Sequence, residues 1–116
     1  MQLNLATQTK DGVLVVHCSG RIVFGEEAVL LRDTVKEAVT QNNRIVLDLA
    51  EVNYIDSGGL GTLVALRTTA INAGGTVKLA SLTRRVDDLL QITKLATVFD
   101  VYDSEEEAVE SFRKAA

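Results

Sequence analysis

The sequence of 116 residues contains no proline or tryptophan, and it has only one cysteine and one histidine. No linker interrupts it, so we expect one domain over residues 1–116. The single Cys18 cannot form an internal disulfide, and its apolar neighbours indicate a buried thiol. No hydrophobic run reaches the ~18 residues of a membrane span, and the first residues lack the basic and apolar segments of a secretory leader. These absences predict a cytoplasmic protein without membrane insertion.

The scarcity of histidine limits the catalytic chemistry available. His17 lies in the apolar run 13–18, where we interpret it as a core or edge side chain of a strand. A serine hydrolase needs a histidine to accept the serine proton, and no Gly-x-Ser-x-Gly motif is present. Adjacent His17 and Cys18 would point to opposite faces of a strand, which disfavours a shared metal. We expect no metal, no cofactor and no enzymatic activity.

The acidic balance of the chain, with a net charge of −4, argues against nucleic acid as a partner, because such binding needs clustered positive charge. The pair Arg84-Arg85 is interpreted as the solvated start of a helix rather than a phosphate clamp. The run Gly59-Leu60-Gly61 matches part of a dinucleotide fingerprint, but Val64 stands where its third glycine belongs. A small nucleotide-binding or hydrolytic enzyme is therefore the least favoured interpretation.

Apolar periodicity predicts an α/β domain with the order β-β-α-β-α-β-α-β-α. The predicted strands cover about residues 2–9, 13–18, 44–49, 76–80 and 98–101, and the helices begin near residues 26, 57, 84 and 105. Asp11-Gly12 predicts a hairpin turn between the first two strands, and Ser19-Gly20 an end to the second. Ser104 and Glu107 match a capping box. We expect a mixed, mostly parallel central sheet of four to five strands, with an N-terminal hairpin edge and about four helices.

Ser57 stands where the chain passes from an apolar strand into a helix, and Gly58 and Gly59 follow it. Serine is a preferred N-cap, so the simplest interpretation is structural. Asp56 is also a capping residue, however, and each glycine costs a helix ~1 kcal/mol relative to alanine. We expect the glycines to leave the hydroxyl and nearby N–H groups open. Such a position suits phosphorylation, because free N–H groups and the helix dipole stabilise added negative charge.

The run Ile55-Asp56-Ser57-Gly58-Gly59-Leu60-Gly61 resembles the Asp-Ser-(Ser/Thr/Gly)-Gly-Leu motif of STAS domains. This family includes sulfate transporters and anti-sigma factor antagonists. Residues 45–49 resemble the central strand of the family, and residues 74–79 its next loop and strand. The resemblance extends over essentially the whole chain and implies a single STAS-like domain that binds a partner without catalysing a reaction.

The resemblance to anti-sigma factor antagonists implies that Ser57 is the position phosphorylated by an anti-sigma factor, a serine kinase of the histidine-kinase-like ATPase type. Asp56, Gly58 and Gly59 would support the phosphorylation site. The unphosphorylated form would bind the kinase and free the sigma factor, and a serine phosphatase would reset the switch. The partner contacts implied by the resemblance are Arg21, Phe24, Gly25, Glu26, Leu60, Thr62 and Leu63.

Two departures from the family pattern keep an alternative open. Many antagonists carry Gly-Glu-Leu-Asp after the second strand, whereas this chain has Gly20-Arg21-Ile22-Val23. The acidic residue is therefore missing unless Glu26 or Glu27 replaces it, and Gly58 replaces a common hydroxyl residue. The alternative is a constitutive, unphosphorylated STAS scaffold in a transport or signalling complex. Phe24 is also open to two interpretations, a partner anchor or a hydrophobic staple that reaches into the core.

Overall fold

Strands and helices alternate along the chain after an N-terminal hairpin, in a computed structural model that describes residues 2–114. The strands are β1 (Leu3–Lys10), β2 (Val13–Ile22), β3 (Arg44–Ile55), β4 (Thr76–Ala80) and β5 (Asp100–Tyr102). The helices are α1 (Glu26–Ala38), α2 (Ser57–Asn72), α3 (Arg84–Ile92) and α4 (Glu105–Lys114). The predicted element order is confirmed.

The five strands form one mixed sheet in the order β1-β2-β3-β4-β5. The hairpin strands β1 and β2 are antiparallel, and every later neighbouring pair is parallel. Asp11 and Gly12 both adopt positive φ angles, of 51° and 77°, which two-residue hairpin turns of this twist require. The predicted sheet type and hairpin edge are therefore confirmed, with the helices as crossovers between parallel strands.

Strands β2 and β3 run further than the sequence predicted. Gly20 does not end β2 but adopts a φ of 114° within it, where the pairing register with β3 shifts. A side chain here would overlap the carbonyl oxygen of Gln2, so the glycine permits a bulge and the strand continues. The continued strand gives β3 a partner beyond residue 49, and Arg21 pairs with Tyr54. Both strands consequently carry the motif region to one edge of the sheet.

The last strand also differs from its prediction over residues 98–101. Residues Leu95–Thr97 form a 3₁₀ turn, and β5 begins only at Asp100. Phe99 is buried in the core, so the apolar residues here pack inward from a turn instead of pairing within the sheet. The prediction failed because a short apolar run does not distinguish these two environments.

The sheet has an apolar layer on each face. Helices α1, α2 and α3 cover one face, where fully buried residues include Leu31, Ile45, Leu47, Leu63, Leu66 and Leu90. Helix α4 covers the other face, where a second cluster contains Val13, Val15, Val46, Ala108 and Phe112. These two layers bury the apolar side chains on both faces of the sheet, which stabilises the sheet between the helices.

The single cysteine lies within the larger apolar layer. Cys18 is buried, as predicted, and this burial together with the nearby Asp48 charge raises the pKa of its thiol to about 12. The thiol therefore stays protonated at neutral pH. Within residues 2–114, no helix has both the length and the apolar character that crossing a bilayer requires.

Candidate functional site

The motif around Ser57 lies where β2 and β3 end side by side. Because these strands are parallel, their carboxyl ends occupy the same edge of the sheet, and Ile22 pairs with Ile55 at the last step. The loop from β2 to α1 therefore lies against the turn from β3 to α2. In open α/β sheets, functional groups commonly collect at this edge of the strands.

Asp56, rather than Ser57, caps helix α2. Its carboxylate accepts a hydrogen bond from the backbone N–H of Gly59 at 2.7 Å. The same carboxylate accepts from the backbone N–H of Phe24, with both oxygens at 3.2 Å. The bond from Gly59, followed by that from Phe24, lowers the pKa of Asp56 despite some desolvation. The side chain is thus an anion at neutral pH that joins the first turn of α2 to the loop after β2.

Ser57 is the first residue of α2, and its side chain is exposed. No group among the described residues forms a hydrogen bond with its hydroxyl, because Asp56 already caps the helix. The interpretation of Ser57 as a cap is therefore wrong. The Asp56 carboxylate forms no hydrogen bond with the Ser57 hydroxyl, since its bonds go to Gly59 and Phe24, so the support predicted from Asp56 would have to come from its charge. The Ser57 hydroxyl is therefore exposed and forms no hydrogen bond with the described residues.

The two glycines after Ser57 are required by close packing. A Cβ on Gly59 would overlap the carbonyl oxygen of Ile22, and one on Gly58 would lie 2.6 Å from Cβ of Phe24. The N–H of Gly59 is already bound to Asp56. The expectation that the glycines leave these amides open is therefore wrong for Gly59, and the first turn of α2 instead lies directly against the end of β2.

The loop after β2 exposes most of its predicted contact residues. The side chain of Phe24 is 81% exposed, so the hydrophobic-staple interpretation is wrong. Arg21 and Glu26 are also exposed. Gly25 adopts a φ of 108° just before α1, a conformation that glycine adopts without strain. Glu27 does not replace the missing acid, because its carboxylate accepts from the backbone N–H of Gln2 at 3.1 Å.

The predicted contact residues in α2 lie in the interior. Leu60, Thr62 and Leu63 are 7%, 2% and 0% exposed, and the Thr62 hydroxyl donates to the carbonyl oxygen of Gly58 at 2.9 Å. The predicted docking role needs exposed side chains, and in this structure these three residues offer a partner almost no surface. The signal was present in the sequence, since Leu60 and Leu63 recur with Leu66 at the spacing of a helix face that packs on a core.

A contact that the sequence analysis missed lies beside the motif. The guanidinium carbon of Arg21 lies 4.9 Å from the ring centre of Tyr54, and that of Arg85 lies 4.8 Å from the same centre. Arg84 has the predicted solvated position, with a side chain 94% exposed. For Arg85 that interpretation is incomplete, because its charge stacks on the tyrosine.

The single histidine belongs to a separate charged cluster beneath the first turn of α4. His17 Nδ1 lies 3.5 Å from Asp48 and 3.3 Å from Glu105, and the Lys10 ammonium also pairs with Glu105. Burial raises the pKa of Asp48. Burial alone would also raise the pKa of Glu105, but bonds from Lys10 and Asp48 lower it. The ring nitrogen of His17 and the carboxylate oxygens of Asp48 and Glu105, atoms that could ligate a metal, lie within 4.8 Å of one another. Because Lys10 already supplies positive charge to this cluster, we interpret it as an ion-pair network.

A cleft of about 540 Å³ lies along α4, lined by Tyr102, Ser111 and three glutamates of that helix. None of its lining residues belongs to the motif over residues 56–59. The groups exposed around Ser57 are instead spread over a loop and the start of a helix, and they do not line this cleft.

Comparison with known proteins identifies the family to which this chain belongs. The STAS domain model matches residues 4–108, and the chain belongs to the STAS domain family. It is 29% identical over 111 residues to the anti-sigma-B factor antagonist of Bacillus subtilis, covering 95% of this chain and all of the relative. It is 38% identical over 68 residues to a candidate anti-sigma factor antagonist homologue of Thermotoga neapolitana.

That second match covers 59% of this chain and 60% of the length of the Thermotoga relative. Among solved structures, a candidate anti-sigma factor antagonist of Thermotoga maritima superposes with a TM-score of 0.81 at 28% identity. The superposition covers 94% of each chain. The predicted family and fold are therefore confirmed by sequence and by structure.

Proposed function

We propose that this chain is an anti-sigma factor antagonist whose binding to its anti-sigma factor is controlled by phosphorylation of Ser57. The observation that carries the proposal is the exposed Ser57 hydroxyl on the first residue of α2, left without a capping role by Asp56. Membership of the STAS family and the similarity to the Bacillus subtilis antagonist support it.

In the unphosphorylated state, the anti-sigma factor docks on the surface formed by Arg21, Phe24, Gly25, Glu26 and Ser57. We call this the Phe24 surface. Phe24 is a suitable anchor, because an aromatic side chain that is 81% exposed buries a large apolar area when a partner covers it. Its backbone is held by Asp56, so little loop entropy is lost on binding.

Phosphorylation reverses this binding through charge. The bound kinase transfers the γ-phosphoryl group of ATP to Ser57 Oγ. A new O–P bond forms, the bond to the β-phosphate oxygen breaks, the hydroxyl proton passes to a base on the kinase, and ADP leaves. The product adds about −1.5 to −2 charge at neutral pH, next to the Asp56 carboxylate. Repulsion then weakens the Asp56 bond to the Phe24 amide and places unfavourable charge under the partner.

The modification is tested with the histidine-kinase-like anti-sigma factor of the source cell and ATP, followed by intact-mass spectrometry. We expect a single added phosphoryl group, lost in Ser57→Ala. Ser104→Ala is the matched control, because Ser104 also begins a helix but its hydroxyl accepts from the N–H of Glu107 at 3.1 Å. Equal phosphorylation of Ser57→Ala and the natural chain would contradict the assignment.

The switch is tested by measuring the affinity of the same kinase for Ser57→Asp. We expect binding at least tenfold weaker than that of the natural chain, ~1.4 kcal/mol, while Ser104→Asp changes it little. An unchanged affinity for Ser57→Asp would overturn the switch and favour a constitutive STAS scaffold instead. Circular dichroism of each variant shows that the fold is retained.

A further inference from the structure

Two arginines from different elements stack on one tyrosine beside the Phe24 surface. Arg21 comes from β2, Tyr54 from β3 and Arg85 from the first turn of α3. The two guanidinium carbons lie 4.9 Å and 4.8 Å from the ring centre. Both distances lie within the ~6 Å range of favourable cation–π interactions. We call these three residues the Arg–Tyr–Arg stack.

The positive charge of this stack is not neutralised by an ion pair. Over the part of the chain that the structure describes, the one arginine within 4.0 Å of a carboxylate is Arg84, which pairs with Asp88. Glu27 is close enough to Arg21 for their charges to interact, but its carboxylate accepts from Gln2. In a chain with a net charge of −4, two exposed guanidinium groups that stack on one ring and form no ion pair with the described residues are a local concentration of positive charge.

Stacking holds the arginines without consuming their hydrogen-bond donors. A guanidinium group that lies on an aromatic ring keeps its N–H groups available at its edge. Those donors match a carboxylate in geometry, and two parallel hydrogen bonds to one carboxylate are among the stronger polar contacts in proteins. The side chains are also partly ordered before binding, which reduces the entropy lost when a ligand is captured.

The stack is continuous with the proposed docking surface. Arg21 pairs with Tyr54 in the sheet, and the next pair along the same strands is Ile22 with Ile55. Immediately beyond this pair, the Asp56 carboxylate accepts from the Phe24 amide at 3.2 Å. Because Arg21 belongs both to the Phe24 surface and to the stack, a protein that covers the Phe24 surface contacts at least one side chain of the stack.

We propose that the Arg–Tyr–Arg stack is a carboxylate-binding site that receives an acidic side chain of the anti-sigma factor. The choice of this occupant rests on the proposed function, whereas the chemistry of the site rests on its own geometry. A neutral Phe24 anchor and the adjacent positive charge of the stack together specify a partner segment with an apolar residue near an aspartate or glutamate.

The binding chemistry is tested by NMR titration of the full chain with a short oligoglutamate peptide at low salt. We expect saturable shifts of the Arg21 and Arg85 Nε–H signals, at least a tenfold weaker response to an oligoglutamine peptide of equal length, and loss of binding in the double variant Arg21→Gln/Arg85→Gln. Arg84→Gln is the matched control, since it removes an adjacent positive charge outside the stack. Equal responses to both peptides, or equal losses in Arg84→Gln, would overturn the site.

The role of the ring is tested with two further variants. Tyr54→Phe keeps the stacking ring, so we expect peptide affinity to be retained. Tyr54→Leu keeps both positive charges but removes the ring, so we expect a several-fold weaker affinity. If Tyr54→Leu binds as tightly as the natural chain, charge alone explains the binding and the stack is not a site.

A complex with the anti-sigma factor separates this inference from the proposed function. We expect Arg85→Gln, which leaves every residue of the Phe24 surface in place, to weaken that complex several-fold. We expect Arg21→Gln/Arg85→Gln to weaken it at least tenfold and to reduce its salt dependence, while Ser57 remains the residue that is phosphorylated. If Ser57 is not phosphorylated but the oligoglutamate peptide still binds, the phosphorylation switch is overturned and the carboxylate-binding site is not. Normal phosphorylation with an unweakened double-variant complex would overturn the acidic-partner assignment alone.

Discussion

The backbone N–H of Phe24 donates to the Asp56 carboxylate at 3.2 Å. One acidic side chain thereby joins the start of α2 to the loop that presents Phe24, which at 81% is the most exposed of the large apolar residues in the described part of the chain. Because the same carboxylate caps α2 through Gly59, any charge added at Ser57 acts on the helix and on the loop together.

Removal of the Asp56 carboxylate should destabilise the fold. We expect Asp56→Ala to lower the free energy of unfolding by about 1–2 kcal/mol, since a lost N-cap accounts for ~1 kcal/mol and the Phe24 amide also loses its acceptor. Asp56→Asn keeps an oxygen acceptor and should cost less. Urea unfolding of the three chains measures the difference, and an Asp56→Ala chain as stable as Asp56→Asn would contradict the capping role.

The stabilisation from Asp56 should depend on pH. Its pKa in the folded chain lies below the ordinary value of 3.8, so folding favours the ionised carboxylate. This contribution is complete above the ordinary pKa and is lost as the pH falls through the lower folded-state pKa. We expect the stability difference between the natural chain and Asp56→Asn to be constant near neutral pH and to shrink below about pH 4. Urea unfolding across this range measures it; a difference unchanged in acid would contradict the lowered pKa.

Two glycines in the first turns of α2 should respond in opposite directions to alanine. We expect Gly59→Ala to destabilise the fold by about 1–3 kcal/mol, because its Cβ would overlap the Ile22 carbonyl oxygen and force a backbone shift. A Cβ on Gly61 meets nothing within 4 Å, so Gly61→Ala should stabilise the helix by about 0.5–1 kcal/mol. Thermal unfolding measured by circular dichroism compares the pair. Equal effects would show that α2 does not lie against β2 as described.

Neutralisation of Asp48 should stabilise the fold at neutral pH. Burial, with help from Glu105, raises the pKa of Asp48, so the folded state disfavours its ionised form. This penalty is absent below the ordinary pKa, develops as the pH rises above it, and is complete once the pH exceeds the folded-state pKa. We expect Asp48→Asn to gain stability at neutral pH, by less than about 1 kcal/mol because the cluster is partly solvated, and to lose this advantage below about pH 4.

The matched control for Asp48 is Asp100→Asn, which removes an exposed carboxylate of β5. Asn at position 48 can still accept from the N–H of Ala50, which donates to Asp48 at 3.0 Å. Chemical unfolding of both variants at neutral and acidic pH separates the local effect from the change in net charge. A loss of stability in Asp48→Asn at neutral pH would contradict the raised pKa.

The element order was predictable because the physical patterns are local. Residues 44–49 form a short apolar run typical of a strand buried on both faces, and they lie in β3. Ser104 accepts from the N–H of Glu107 at 3.1 Å, as the capping pattern predicts. Both features depend only on residues within one turn or one strand, so they can be predicted from the local sequence.

The details of the site were less predictable because they depend on contacts between distant segments. In the sequence, Gly20 has the pattern of a strand end. In the structure it forms a bulge, because the carbonyl group of Gln2 lies where a side chain at position 20 would be. The Asp56 carboxylate that caps α2 also accepts from the amide of Phe24, a residue 32 positions away that reaches it only because β2 continues to Ile22. The stacking of Arg85 on Tyr54 likewise joins α3 to β3, and no local pattern indicates it.

The reactivity of the Cys18 thiol reports whether the apolar layer around it is closed or open. The thiolate is the reactive species, and a thiol whose pKa is about 12 within the apolar layer resists alkylation and oxidation while the layer stays closed. Labelling of Cys18 therefore proceeds only through molecules that have transiently opened, and its rate reads out how often the sheet separates from its covering helices.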